Sequence, residues 1–351
     1  MPFINNISTA VPQFKHSQQQ ILEFMLQNVD LDTLEKEKLK KLYKRTKINF
    51  RHSVLSDFSD PESKLFRESE PMVDQRMQLF HENASTLSFQ VCNDVLDNSH
   101  LKPEEITHLI SVSCTGISAP GIEQKMAKEL KLKPNCELFA INFMGCYAGF
   151  HALKLANYIA LSNSKAKILL FCVELCTIHF SKSKNPDNLL ANSLFADGAT
   201  AFIISNQENG LKLKESSSFL IGKGENDMAW EITPFNFSMK LTSHIPKLIS
   251  EDLKTMKSNL LLQNIQIEQM DFFAVHPGGS KILDDFKEYF SLKDRQIEDS
   301  FNVLKEYGNM SSVTLFFILK QLMENATSKQ QILSVGFGPG LTIESFWMEK
   351  V

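Results

Sequence analysis

Apolar and polar positions along the 351-residue chain alternate in a way that predicts strand followed by helix, repeatedly. The run Leu138-Phe139-Ala140-Ile141 predicts a short buried strand. Beyond it, Tyr147 to Leu161 carries apolar residues at 150, 153, 155, 158, 159 and 161, close to one face of a helix. Between the two lies Phe143-Met144-Gly145-Cys146-Tyr147-Ala148-Gly149, so a cysteine flanked by glycines falls on a tight strand-to-helix turn. Upstream, Ser17-Gln18-Gln19-Gln20 before Ile21, Leu22, Phe24 and Met25 has the form of a capping box opening a helix. A second helix is expected over Leu34 to Lys47, whereas residues 52–80 are polar and weakly periodic and predict an irregular or partly helical surface segment. Helical spacing resumes from Thr86 to Leu96. A strand over Thr107 to Ser113 ends at Cys114-Thr115-Gly116, and a helix from Pro120 leads back to the strand before Cys146. Lys167 to Leu175 is apolar almost throughout, as a strand covered on both faces requires, and Ala199 to Ile204 makes another.

The second half repeats this plan. Phe272-Phe273-Ala274-Val275 predicts a strand ending in His276-Pro277-Gly278-Gly279. Tyr307-Gly308-Asn309-Met310-Ser311-Ser312 opens a helix through about Met323, and Gln331 to Val335 is a strand running into Gly336-Phe337-Gly338-Pro339-Gly340. Cys114 to Cys146 spans 32 positions and His276 to Asn309 spans 33; Cys146 to Cys172 spans 26 and Asn309 to Gly336 spans 27. Two halves of like layout, about 1–205 and 206–351, imply an internal duplication packed as one body. The expected fold is layered α/β with two central sheets.

Composition narrows the function class. A hydrophobic fraction of 43% and a charged fraction of 22% are those of an ordinary globular chain, and a net charge of −4 argues against a nucleic-acid surface. No apolar run approaches the length of a membrane span, and Met1-Pro2-Phe3-Ile4-Asn5 lacks a signal-peptide pattern. Six cysteines in a chain of this size form no disulfide framework. The expectation is a reduced, cytoplasmic protein.

The chemistry gathers at three turns. Cys146, at a helix N-terminus, is placed where unpaired N–H groups and the helix dipole favour a thiolate. His276 could complete a thiolate–imidazolium pair, and Asn309 adds a neutral amide N–H for a developing oxyanion. Lys38, Lys41 and Arg45 fall roughly on one helix face, open to plain solvation or to an anionic ligand. Cys172, Cys176 and His179 contain metal-ligand types, but no fourth ligand lies near them in sequence. Cys172 and Cys176 are expected in the core, with His179 and Cys114 lining a cavity, and no metal is expected.

At these residues the chain resembles the type III polyketide synthases, the chalcone synthase family. The matching stretches are Gly145-Cys146-Tyr147-Ala148-Gly149, Val275 to Gly279, Tyr307 to Ser312 and Gly336 to Glu344, with Ser113 to Gly116 and Leu194 to Ala199 in support. The resemblance implies a thiolase-like fold of internally duplicated αβαβα layers, a homodimer, and iterative decarboxylative Claisen condensation without a cofactor. Its substrates would be malonyl-CoA and an acyl starter delivered on CoA or on an acyl-carrier protein. Cys146 would carry the acyl chain, while His276 and Asn309 would hold the malonyl thioester and its enolate; cyclisation would give an alkylpyrone or alkylresorcinol type of product. Phe195 matches the family's gatekeeping phenylalanine, and Met239 stands for a second gatekeeper. Cys114, His179, Ser311, Gly338 and Pro339 complete the implied substrate-contacting set, and Lys38, Lys41 and Arg45 fall where the family binds CoA phosphates. Ala119 replaces a methionine that reaches the partner's cavity in plant members, and the segment from Met228 to Pro246 is similar to the bacterial branch.

Three other readings compete. An initiating ketoacyl-carrier-protein synthase would share fold and triad but condense once; the stretches at 276–279 and 336–344 speak against it. A papain-like hydrolase has Cys, His and Asn in this chain order but not this context around Cys146. A degenerate binding scaffold would have no need of all three residues.

Overall fold

The computed structural model describes residues 1–60, 70–221, 227–242, 244–245, 247–249, 251, 253 and 265–351. In the first half it runs β1 (Phe3–Ala10), β2 (Phe14–Ser17), α1 (Gln18–Asn28), α2 (Thr33–Arg45), β3 (Phe50–Ser53), α3 (Val73–Ser99), β4 (His108–Ser113), α4 (Ile122–Glu129), β5 (Glu137–Asn142), α5 (Ala148–Ser162), β6 (Lys167–Leu175), α6 (Pro186–Leu194) and β7 (Asp197–Ser205). The second half follows with β8 (Leu211–Leu220), β9 (Met228–Ile232), β10 (Phe237–Leu241), β11 (Phe272–Val275), α7 (Ser280–Tyr289), α8 (Asp294–Tyr307), α9 (Thr314–Asn325), β12 (Gln331–Gly338) and β13 (Thr342–Lys350).

The predicted capping box closes as expected: Ser17 Oγ accepts from the Gln20 N–H and the Gln20 side chain accepts from the Ser17 N–H at 3.0 Å. Helix α2 opens with a second such box, Asp32 with Glu35. Within the weakly periodic segment 52–80, residues 61–69 lie outside the described residues, as does Pro246. Helix α3 already begins at Val73, earlier than its apolar spacing suggested.

Among the described residues nine strands form one mixed sheet in the order β11-β12-β13-β8-β1-β7-β6-β4-β5. The first half contributes β5, β4 and β6 in parallel, then β7 and β1 antiparallel. The second contributes β11 parallel to β12, then β13 and β8 antiparallel. Strands β4, β6, β7 and β1 thus correspond to β11, β12, β13 and β8, which is the duplication in structural form. At the sequence position that matches β5, the stretch around Asn309 makes a single parallel bridge to Phe195. The two expected sheets are joined into one by a short pairing of β1 with β8 at Phe3–Lys212 and Ile4–Leu211.

Layering follows from the period-two alternation of the strands. Ile110, Val112, Ile168, Leu170, Phe202 and Ile204 from the first half share a core with Ala274, Ile332 and Phe346 from the second, packed on α5 and α9. The alternate residues Leu109, Leu169, Phe171 and Ile203 face α1 and α3. In the second half Phe273, Val275, Leu333 and Val335 face α7 and α8. The order helices–sheet–helices–sheet–helices is the αβαβα expected. Burying a side chain such as Phe150 or Leu153 of the central layer contributes about 1.5–3 kcal/mol. One expectation changes: β5 is not buried but forms the sheet edge, with Leu138 38% exposed. Among the described residues no helix is long and apolar enough to cross a membrane.

Candidate active site

Cys146 stands on the turn between β5 and α5, and that turn is over-determined by close packing. Gly145 adopts φ +85°, and a Cβ there would lie 2.4 Å from Pro339 Cδ, so the position requires glycine twice over. A Cβ on Gly338 would sit 1.3 Å from the Tyr147 ring, which explains a second glycine in the 336–340 stretch. The motif of the second half is therefore the seat on which the nucleophile turn rests. Cys114 completes the seat. Its thiol accepts from the Gly145 N–H at 2.9 Å and donates to the Gly145 carbonyl at 3.3 Å.

His276 follows β11, and its own N–H donates to Val335 O at 2.8 Å. It is 1% exposed, and neither ring nitrogen has a hydrogen-bond partner among the described residues. Buried polar atoms are normally paired, so both ring nitrogens of His276 are left free to meet a group bound in the site. Asn309 is held by its backbone: its N–H donates to Leu194 O and its carbonyl accepts from the Ala196 N–H, both at 2.9 Å. Its Oδ1 accepts from the Ser311 N–H at 2.9 Å, which leaves the amide N–H₂ as the outward group. Ser311 itself is at φ +50°, a strained conformation beside this triad.

Cys146, His276 and Asn309 line one cavity of about 30 Å³, together with Phe195, Met239, Pro339 and apolar walls from Met228, Leu241, Ile282 and Phe337. An outer, mostly apolar cavity of about 160 Å³ shares Leu241, Gly278 and Ile282 with it and carries Arg45 in its lining. An inner cavity of about 30 Å³ shares Phe195 and Met239 and is walled by Cys176, His179, Trp230 and Phe237. Phe195 and Met239 thus stand between the triad and the inner cavity. Trp230 is the cross-strand partner of Met239, its Nε1 donates to Cys114 O at 3.1 Å, and its ring meets those of Phe195 and His179 edge-on.

Other predicted residues lie elsewhere. Cys114 turns its sulfur to Gly145, and Gly338 lies beneath Tyr147; neither lines these cavities. Ser311 is buried next to the thiol, and its side chain hydrogen-bonds with Cys146. Lys38 and Lys41 are exposed on α2 and only Arg45 reaches the outer cavity. Ala119 lines a separate surface hollow with Phe80 and Pro120. Cys172 is buried within β6, and both His179 nitrogens are taken: Nε2 lies 2.7 Å from Thr115 O, and Nδ1 accepts from the Phe237 N–H at 3.1 Å. His179 is thus a strut of the cavity wall, its proton affinity pushed down to about 3 by burial.

Electrostatics alter the expected thiolate–imidazolium pair. Burial pushes the Cys146 thiol up to about 12, opposed by its hydrogen bond with Ser311 and reinforced by the negative charge of Glu174. Burial also pulls His276 down to about 4. At neutral pH burial therefore favours a thiol and a neutral imidazole over the charged pair.

The family model for the N-terminal domain of chalcone and stilbene synthases matches residues 2–208, and that for the C-terminal domain matches 212–351. A probable polyketide synthase of Dictyostelium discoideum is 29% identical over 99% of this chain, which spans only 11% of that relative's length. An alpha-pyrone synthesis polyketide synthase-like protein of Mycobacterium tuberculosis is 29% identical over 92% of this chain and 84% of its own. The crystal structure of the C-terminal type III polyketide synthase domain of the Dictyostelium type I/III hybrid Steely1 superposes with a TM-score of 0.93. It is 27% identical and covers 100% of this chain and 99% of that one.

Proposed function

The chain belongs to the chalcone and stilbene synthase family and is a type III polyketide synthase, an acyltransferase; on that premise we propose how its residues divide the work. Cys146 takes the starter acyl group as a thioester. Because the thiol and His276 are both neutral, the proton leaves Sγ for the imidazole as the acyl carbonyl is attacked, and the departing CoA thiolate recovers it. His276 then presents one N–H and Asn309 its amide N–H₂ to the malonyl thioester carbonyl. Loss of carbon dioxide leaves an enolate whose oxygen these two donors stabilise, and its carbon attacks the acyl group on Cys146. The released thiolate of Cys146 takes the lengthened chain back from its CoA thioester, expelling CoA as the leaving thiolate, and cyclisation ends the cycle. The observation that carries this reading is the imidazole of His276, fully buried with both nitrogens open, on the same small cavity as Cys146 and Asn309.

The family works on CoA thioesters, and we assign the outer cavity with Arg45 at its rim to the pantetheine arm and phosphates of acyl-CoA and malonyl-CoA. No further cofactor is needed for these steps. The apolar walls around Cys146, with unbranched Met228 and Met239 among them, favour a linear fatty acyl starter and an alkylpyrone or alkylresorcinol type of product. The Met228–Leu241 hairpin, with Trp230 and Met239 paired across it, is the feature on which we group the chain with bacterial members. A homodimer is expected through the open edge of β5, beside which α5 exposes Tyr158 and Leu161. Such an edge is ready to pair with a second copy.

Incubation with labelled malonyl-CoA and an acyl-CoA series tests the proposal. Carbon dioxide release with multi-ketide products supports it. A single condensation would point instead to an initiating synthase, and neither would point to a hydrolase or scaffold.

A further inference from the structure

We propose that Glu174 is the positioning residue of the site, one carboxylate that holds the turn behind Cys146 and the turn carrying Asn309 in a common register. The inference rests on the reading that Cys146 and Asn309 act in one reaction.

Glu174 is the penultimate residue of β6 and is fully buried between Val173 and Leu175, themselves buried and apolar. A carboxylate so far from water is costly unless its lone pairs are satisfied. Three donors satisfy it. Oε1 accepts from the Ser312 hydroxyl, and Oε2 accepts from the Cys114 N–H at 3.0 Å and the Thr115 hydroxyl at 2.8 Å. These donors come from opposite halves of the duplicated fold, Cys114 and Thr115 from the first and Ser312 from the second.

On the first-half side, Cys114 brackets Gly145 with its sulfur, and Gly145 immediately precedes the nucleophile. Thr115 fixes the same turn to β6, because its Oγ1 also accepts from the Leu175 N–H at 2.9 Å. On the second-half side, Ser312 follows Ser311, whose N–H locks the Asn309 amide and whose side chain hydrogen-bonds with the Cys146 thiol. An apolar residue at 174 would fill the space but leave three buried donors without partners. A misplacement of either turn by about 1 Å is enough to cost roughly 100-fold in rate.

The charge has a second effect, separable from the geometry. Burial pushes up the thiols of Cys114, Cys146, Cys172 and Cys176, and the Glu174 charge adds to that rise in all four. Glutamine separates the two roles. Its Oε1 can accept from Cys114 and Thr115, and its amide N–H can donate to Ser312 once that hydroxyl rotates, so the clamp persists while the charge is gone.

The test compares Glu174→Gln, Glu174→Ala and Ser312→Ala in the full chain. It measures carbon dioxide release from malonyl-CoA, kcat and KM for condensation, and the pH midpoint of Cys146 alkylation by iodoacetamide, read by peptide mass. Glu174→Ala should lower kcat about 100-fold with KM within about threefold. Glu174→Gln should recover most of that loss and move the alkylation midpoint down, because the charge that helps burial hold the thiol protonated is gone. Ser312→Ala, which frees only the second-half contact, should lower carbon dioxide release about tenfold. If Glu174→Ala does not fold, the other two variants decide. Wild-type kcat in Glu174→Ala, full carbon dioxide release in Ser312→Ala, a glutamine variant that is inactive, or one whose midpoint does not move would each overturn the proposal. A wild-type protein that releases no carbon dioxide would overturn the functional reading instead, and the alkylation midpoint would still report on Glu174.

Discussion

Truncating Trp230 to alanine should lengthen the starter that the site accepts. The indole walls the inner cavity, packed edge-on against Phe195 and His179 at ring distances of 6.4 and 6.3 Å and tethered to Cys114 O. Removing it enlarges that space, which meets the cavity around Cys146 at Phe195 and Met239, the two residues that border both. Each methylene that then leaves water adds about 0.8 kcal/mol. A starter two carbons longer than the wild-type optimum should therefore gain about 1.6 kcal/mol, roughly 15-fold in kcat/KM. The variant must be assayed at low temperature with a thermal melt alongside, because large-to-small changes in a packed wall cost about 3–5 kcal/mol of stability. The assay is kcat/KM against straight-chain acyl-CoA substrates from acetyl upwards, wild type and variant in parallel. Wild-type values should climb from acetyl to longer chains, and the maximum should move further out in Trp230→Ala. An unchanged maximum in a folded variant would show that Trp230 does not limit the cavity, and a wild-type maximum at acetyl or at an aromatic starter would refute the fatty acyl assignment.

Three further outcomes are expected. Arg45→Glu should raise KM for malonyl-CoA several-fold with little change in kcat, weakening as salt rises, whereas the same change at exposed Lys38 should do less; steady-state kinetics at two ionic strengths checks both. Gly338→Ala would drive a methyl into the Tyr147 ring and should abolish Cys146 acylation while circular dichroism stays near wild type, as read by intact-protein mass. Lys154→Ala leaves the fully buried Glu344 without its cation and should lower unfolding free energy by about 3–5 kcal/mol in denaturant titrations.

Much of this architecture was legible in the order of residues, for identifiable reasons. The strands at 108–113, 167–175 and 272–275 announce themselves because burial on both faces leaves room only for apolar side chains. The turns bearing Cys146, His276 and Asn309 were readable because close approach fixes their neighbours, as Gly145 against Pro339 shows. What escaped was set by partners distant in sequence. Leu138 to Ile141 is as apolar as a buried strand, yet its place at the sheet edge depends on which strands pair beside it. Cys114 carries no sign that its sulfur serves Gly145 and not a cavity. Arg51 and Arg76 look like surface residues but are fully buried, donating to the carbonyls of Asn192, Phe195 and Phe180 that shape the inner cavity. The Lys154–Glu344 pair joins residues from the two halves, and nothing local in either segment foretells it.

The division of labour among Cys146, His276 and Asn309 is tested most directly by malonyl-CoA decarboxylation in two variants measured beside the wild type. Cys146→Ala should release carbon dioxide yet form no lengthened product, because the two donors remain and only the acyl anchor is gone. Asn309→Ala should lose the release as well, by about 3 kcal/mol or 100-fold if its amide meets the enolate oxygen. Rapidly quenched wild-type protein should carry the starter on the Cys146 peptide. Condensation by Cys146→Ala at near the wild-type rate, or an acyl group found on another residue, would contradict the account.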